Sequence, residues 1–147
     1  MFNGIKKLLL LCLLLIPHLV FAGNSGTPVG LWKSFDDQGK HTGYIRITEQ
    51  QGLLRGVIER GTPDDGQDRR CNLCKDARKD QLMLGMEIIW NLKSDGDDYV
   101  GGEILDPLSG NVYRAKLTVF DGGAKLKVRG YLGISLFGRT QIWTREE

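Results

Sequence analysis

The feature that most constrains this chain is a two-residue alternation of apolar and polar side chains, repeated in short runs that turn residues interrupt. Tyr113, Ala115, Leu117 and Val119 alternate with Arg114, Lys116 and Thr118. Further on, Leu126, Val128 and Leu132 share one face while Lys125, Lys127 and Arg129 take the other. Successive side chains on extended backbone point to opposite sides, so a period of two with one charged face describes an antiparallel sheet that is dry on one side.

Runs of this kind, rich in β-branched and aromatic residues, predict eight strands, at 30–36, 43–49, 52–60, 85–93, 98–106, 111–120, 124–132 and 136–145. Asp36-Asp37-Gln38-Gly39, Asp95-Gly96-Asp97, Ser109-Gly110-Asn111 and Asp121-Gly122-Gly123 separate them. These residues tolerate positive φ, and the connectors are short enough to join neighbouring strands. An open meander would leave two unpaired edges, and closure removes both. The expected fold is therefore all-β, a single eight-stranded antiparallel up-and-down barrel with one long charged loop at 61–84. Within that loop, 76–84 is a candidate short helix. Gly56, Gly101, Gly102, Gly130 and Gly138 fall inside strand ranges, and Gly133 follows directly on one, where glycine suits corners and close approaches.

Residues 1–22 stand apart. Lys6 and Lys7 precede an apolar run from Leu8 to Leu15, Pro17 interrupts it, and Val20-Phe21-Ala22 fits a signal-peptidase site. The expected organisation is a signal peptide at 1–22 and one barrel domain at 23–147, placed in the periplasm or secreted. The apolar run is shorter than the roughly 20 residues of a spanning helix, so no lasting membrane insertion is expected. Cleavage would remove two lysines and no carboxylate, taking the 20 basic residues to 18 against 18 acidic ones. A neutral domain lacks the positive field that phosphate backbones reward, which argues against nucleic acid as a partner.

Cys71 and Cys74 are the cysteines left after such cleavage, and an oxidising compartment favours a disulfide between them. The alternative is a redox pair, with Arg69, Arg70 and Lys75 favouring a thiolate, but no strand-helix-strand pattern surrounds it. His41 is the one histidine outside 1–22, so neither a zinc finger nor a Ser/His/Asp triad is expected. No cofactor and no metal site are anticipated.

Gly30-Leu31-Trp32 opening the first strand and an arginine near the end of the last, Arg139 or Arg145, resemble the lipocalin-like barrels. That resemblance implies a tryptophan packed across the closed end beneath the arginine. Asp106-Pro107-Leu108-Ser109-Gly110-Asn111-Val112-Tyr113, Val128-Arg129-Gly130-Tyr131-Leu132-Gly133 and Phe137–Arg145, with Cys71-Asn72-Leu73-Cys74, look like a family of small exported bacterial proteins known as a domain of unknown function. It implies a lipocalin-like fold and no particular activity.

An eight-stranded barrel either fills with side chains or holds one small ligand. The leading expectation is a small, mainly apolar ligand in the barrel mouth, held by Trp90, Tyr113 and Trp143 with Arg139 at one end. The alternatives are an envelope redox or accessory enzyme using Cys71 and Cys74, and a protein-interaction module working through the long charged loop.

Overall fold

A computed structural model describes residues 26–64 and 68–147. The segment read as a signal peptide lies outside the described residues. Eight strands follow in chain order: β1 (Gly30–Phe35), β2 (His41–Gln50), β3 (Leu53–Arg60), β4 (Glu87–Asp95), β5 (Asp98–Asp106), β6 (Asn111–Phe120), β7 (Lys125–Tyr131) and β8 (Gly138–Arg145). Each is antiparallel to the next, and β8 returns to β1 through Trp32 opposite Arg145 and Lys33 opposite Thr144. The sheet is a closed up-and-down barrel, as the alternation predicts.

The register explains which side chains reach the interior. Ile45 faces Ile58 and Ile47 faces Gly56 across β2 and β3, while Leu117 faces Val128 across β6 and β7. Trp32, Ile47, Leu54, Ile89, Leu92, Leu105, Ala115, Leu117, Leu126 and Trp143 form the buried core. Two details differ from the sequence reading. Leu132 is exposed, because β7 stops at Tyr131 and Leu132 begins the turn. Residues 76–84 form turns rather than a helix, held by Lys79 N–H to the Asp76 carbonyl and Gln81 N–H to the Arg78 carbonyl.

The long loop is anchored to the wall. Its own backbone closes through an isolated bridge between Arg70 and Leu82, and through Asp80 N–H donating to the Cys71 carbonyl at 3.0 Å. Cys71 and Cys74 are joined in a disulfide, and both are buried in the core cluster. The disulfide seats the loop against the β5–β6 turn. Gly110, at φ +71°, lies so close to the Leu73 carbonyl that no Cβ fits there, and Lys75 Nζ donates to Asn111 Oδ1 at 2.9 Å.

Candidate functional site

The two ends of the barrel are built differently. At one end, Trp32 is fully buried and its indole N–H donates to the Pro28 carbonyl at 2.7 Å. The Arg145 guanidinium lies 4.2 Å from the Trp32 ring centroid. It donates to the carbonyls of Gly123 at 2.6 Å, Val29 at 2.8 Å and Thr27 at 2.7 Å. This arginine draws the N-terminal segment, the β6–β7 turn and the last strand over the barrel end. Burial pushes its pKa down from the ordinary value, yet a guanidinium stays charged at any physiological pH. Gly30, at φ +144°, is part of the same closure, because a Cβ there would stand 2.6 Å from both the guanidinium and the Glu147 carbonyl.

The opposite end opens into a cavity of about 1010 Å³. Its mouth is framed by the β1–β2, β3–β4, β5–β6 and β7–β8 connections, represented by Asp37, Arg69, Pro107 and Phe137. Ile45, Ile58, Ile88, Ile104, Val128 and Trp143 line the interior, with Tyr113 alongside. Gly130 contributes space, since its missing side chain would point at Tyr113 and Ile104, with a Cβ at 3.4 and 3.5 Å from them.

Two polar groups of the cavity wall are bonded within the protein. Ser34 Oγ donates to the Gly43 carbonyl at 2.9 Å, and the Trp143 indole N–H donates to Gln141 Oε1 at 3.1 Å. Among the described residues, no buried side-chain nitrogen or oxygen lacks a partner.

The proposed ligand-binding residues separate on inspection. Tyr113 and Trp143 line the cavity, and Arg139 stands at its rim, paired with Asp37 at 2.6 Å and 3.9 Å from Asp106. The Asp37 carboxylate beside Arg139 raises its pKa. Arg139 is thus at the opposite end from Trp32, and the barrel-closing arginine is Arg145. Trp90 does not line the cavity. It lies instead among polar side chains, where its indole N–H donates to Glu103 Oε2 at 3.0 Å beneath the Arg78 guanidinium at 4.5 Å. Ile45, Ile58 and Ile104 were not singled out from sequence, and Gly130 was noted there only as a glycine within a strand. Their signal was the inward phase of the alternation on β2, β3, β5 and β7.

A closed eight-stranded up-and-down barrel, with a tryptophan and an arginine at one end and a cavity open at the other, is a lipocalin-like fold. The chain belongs to a family described as an uncharacterized protein conserved in bacteria, DUF2147, whose model matches residues 30–145. It is similar in structure to HP1028 from Helicobacter pylori, whose description places it in the lipocalin family, with a TM-score of 0.70 and 15% identity over 81% of this chain and 82% of that one. Among curated proteins none matches.

Proposed function

We propose that this protein is exported and that it binds one small, mainly apolar molecule inside the barrel, entering by the open mouth. The observation that carries the reading is the cavity of about 1010 Å³, with Ile45, Ile58, Ile104, Val128 and Trp143 in its wall. Ligand pockets typically span about 300–1,000 Å³ and combine apolar walls with few polar groups, so this one has room for a drug-sized or lipid-sized molecule. Tyr113 and Trp143 supply aromatic surface within, and Arg139 sits where a polar end of the ligand would emerge.

The cysteine pair supports a structural role in that reading rather than thiol exchange. Both residues are almost wholly inaccessible, at 0% and 2% exposure, whereas exchange requires a thiolate to reach the sulfur it attacks. Export fits the same feature, since such bonds persist outside the cytoplasm, and it fits the basic, leucine-rich segment from Lys6 to Ala22.

Native mass spectrometry of protein purified from its own bacterial host tests both parts. The expected species begins at Gly23 and carries a nonpolar molecule that organic extraction removes. A chain that retains residues 1–22, or one that is always empty and takes up no apolar compound, would contradict the respective part.

A further inference from the structure

The cavity keeps its charges away from its depth. Among the described residues that line it, the ionic groups are the carboxylates of Asp36, Asp37, Glu59 and Asp106 and the guanidiniums of Arg60, Arg69 and Arg139. None of them is buried, whereas Ser34, the buried polar residue of the wall, is neutral. A charged group on a ligand would therefore rest at the mouth, since an ion pushed into the apolar depth would lose its water without gaining a counter-ion.

At the mouth the cations are taken. Arg139 Nη1 donates to Asp37 Oδ2 at 2.6 Å, and its Nη2 stands 3.9 Å from Asp106 Oδ2. Arg60 lies over the Tyr44 ring at 4.1 Å, and Arg69 is likewise engaged within the protein. Of the carboxylates, Glu59 is held by Arg46 at 2.6 Å. Asp36 accepts from the N–H groups of Gln38 and Lys40, both at 2.9 Å, and Asp106 accepts from Leu108 N–H at 3.0 Å and Ser109 Oγ at 2.7 Å. These two cap their own turns and stay at the rim as negative charges. Asp37 differs, because its carboxylate caps no turn and accepts instead from Arg139 on β8.

A ligand carboxylate reaching Arg139 would have to displace Asp37. The pair is cheap to break, with side chains 62% and 43% exposed. The displaced carboxylate nevertheless stays beside the newcomer, with Asp106 close by, and like charges at such range repel. A hydroxyl or a carbonyl faces no such exchange. The guanidinium carries more N–H donors than Asp37 occupies, and those left over can serve a neutral acceptor.

We propose that the barrel takes a neutral amphiphile, such as a long-chain alcohol or ester, in preference to the matching carboxylate, and that Asp37 sets this preference by occupying Arg139. The inference rests on the cavity being a ligand site and adds the chemical class of its ligand. Selectivity of this kind comes as much from a group that disfavours the wrong partner as from contacts with the right one.

Displacement of N-phenylnaphthylamine, a neutral apolar probe, by dodecanol and by dodecanoate tests the preference, below the micelle concentration and at a pH where the acid is ionised. The wild-type protein should release the probe at a dodecanol concentration at least about tenfold below that of dodecanoate. An alcohol enters any apolar space more readily than an ion does, so the variants decide. Asp37→Asn should improve dodecanoate at least about fivefold more than it changes dodecanol, because it removes the repelling charge and releases Arg139. Adding Arg139→Gln to that variant should abolish the gain, and melting temperatures check that both proteins remain folded. A wild type that prefers dodecanoate, an unchanged ratio in Asp37→Asn, or a gain that persists without Arg139 would each overturn the proposal. Failure of the probe itself to bind saturably would instead bring down the ligand reading of the cavity, and the preference with it.

Discussion

Arg145 and Trp32 face one another across the β1–β8 seam, guanidinium over indole at 4.2 Å, at the point where the barrel closes. The seam is short, with two residue pairs in register, and the arginine reinforces it by gathering three carbonyls from two other segments. A cation over an aromatic face contributes about 0.5–2 kcal/mol, more where water is excluded. Sealing this end leaves the other as the entrance.

Substitution at this pair is expected to separate the two arginines. Trp32→Ala should cost about 3–5 kcal/mol, the range for large aromatic deletions from a core. Arg145→Met should cost about 2–4 kcal/mol, because it strips donors from the carbonyls of Thr27, Val29 and Gly123 as well as the stacking. Arg139→Met, which removes an exposed ion pair, should change stability by less than about 1 kcal/mol. Urea unfolding of the three variants checks the order, and equal losses at Arg139 and Arg145 would refute it.

The disulfide and the β5–β6 turn are expected to behave as one unit. Reduction of Cys71–Cys74 should leave the barrel folded but cost about 1–3 kcal/mol, since the closed ring is short, and should open 61–86 to protease. Gly110→Ala should do the same without touching sulfur, because its new Cβ would run into the Leu73 carbonyl. Limited proteolysis with and without reductant measures both. Cleavage confined to the reduced wild type, with Gly110→Ala resistant, would show that turn and loop are independent.

Acid should loosen the same loop before it unfolds the barrel. The Arg78 guanidinium bonded to Asp76 holds that carboxyl down to about 2, from an ordinary 3.8, and Arg78 in turn covers Trp90. Lys116, with Thr118, also lowers Asp98. Groups whose folded pKa is depressed add stability that is complete above the unfolded value and disappears as pH falls through the folded one. The contribution is thus expected in full above about pH 4 and lost toward pH 2. Asp76 is half exposed, so solvent screening keeps the effect modest. Stability followed from pH 5 to 2 should fall less steeply in Asp76→Asn than in the wild type, and parallel curves would exclude Asp76 as a contributor.

Strand number, order and closure were legible because each followed from local periodicity and turn chemistry, as β6 and β7 illustrate. Trp32 and an arginine partner were legible as a motif, but choosing Arg145 over Arg139 required the β8 register, which puts Arg145 opposite Trp32. Trp90 was misplaced for a physical reason. Ile88 and Ile89 are both buried, and Asn91 adopts φ +60° before Leu92 turns inward again, so β4 carries no clean alternation from which to phase its tryptophan. The burial of Cys71 and Cys74 depends on contact with Pro107 and Gly110, some 36 residues away in the chain, and spacing alone carries no trace of it.

The cavity itself is tested most directly by titrating the protein with an apolar fluorescent probe while changing Gly130, a wall position that lacks a side chain. Gly130→Leu places a Cβ at ordinary contact distance from Tyr113 and Ile104 and sends the rest of the side chain into the open volume. The wild type should bind the probe saturably, with quenching of tryptophan fluorescence and a melting temperature that rises with the logarithm of excess probe. Gly130→Leu should remain folded and bind at least about tenfold more weakly, a loss of about 1.4 kcal/mol. Equal affinity in the two proteins, or no saturable binding by the wild type, would contradict a ligand site inside the barrel.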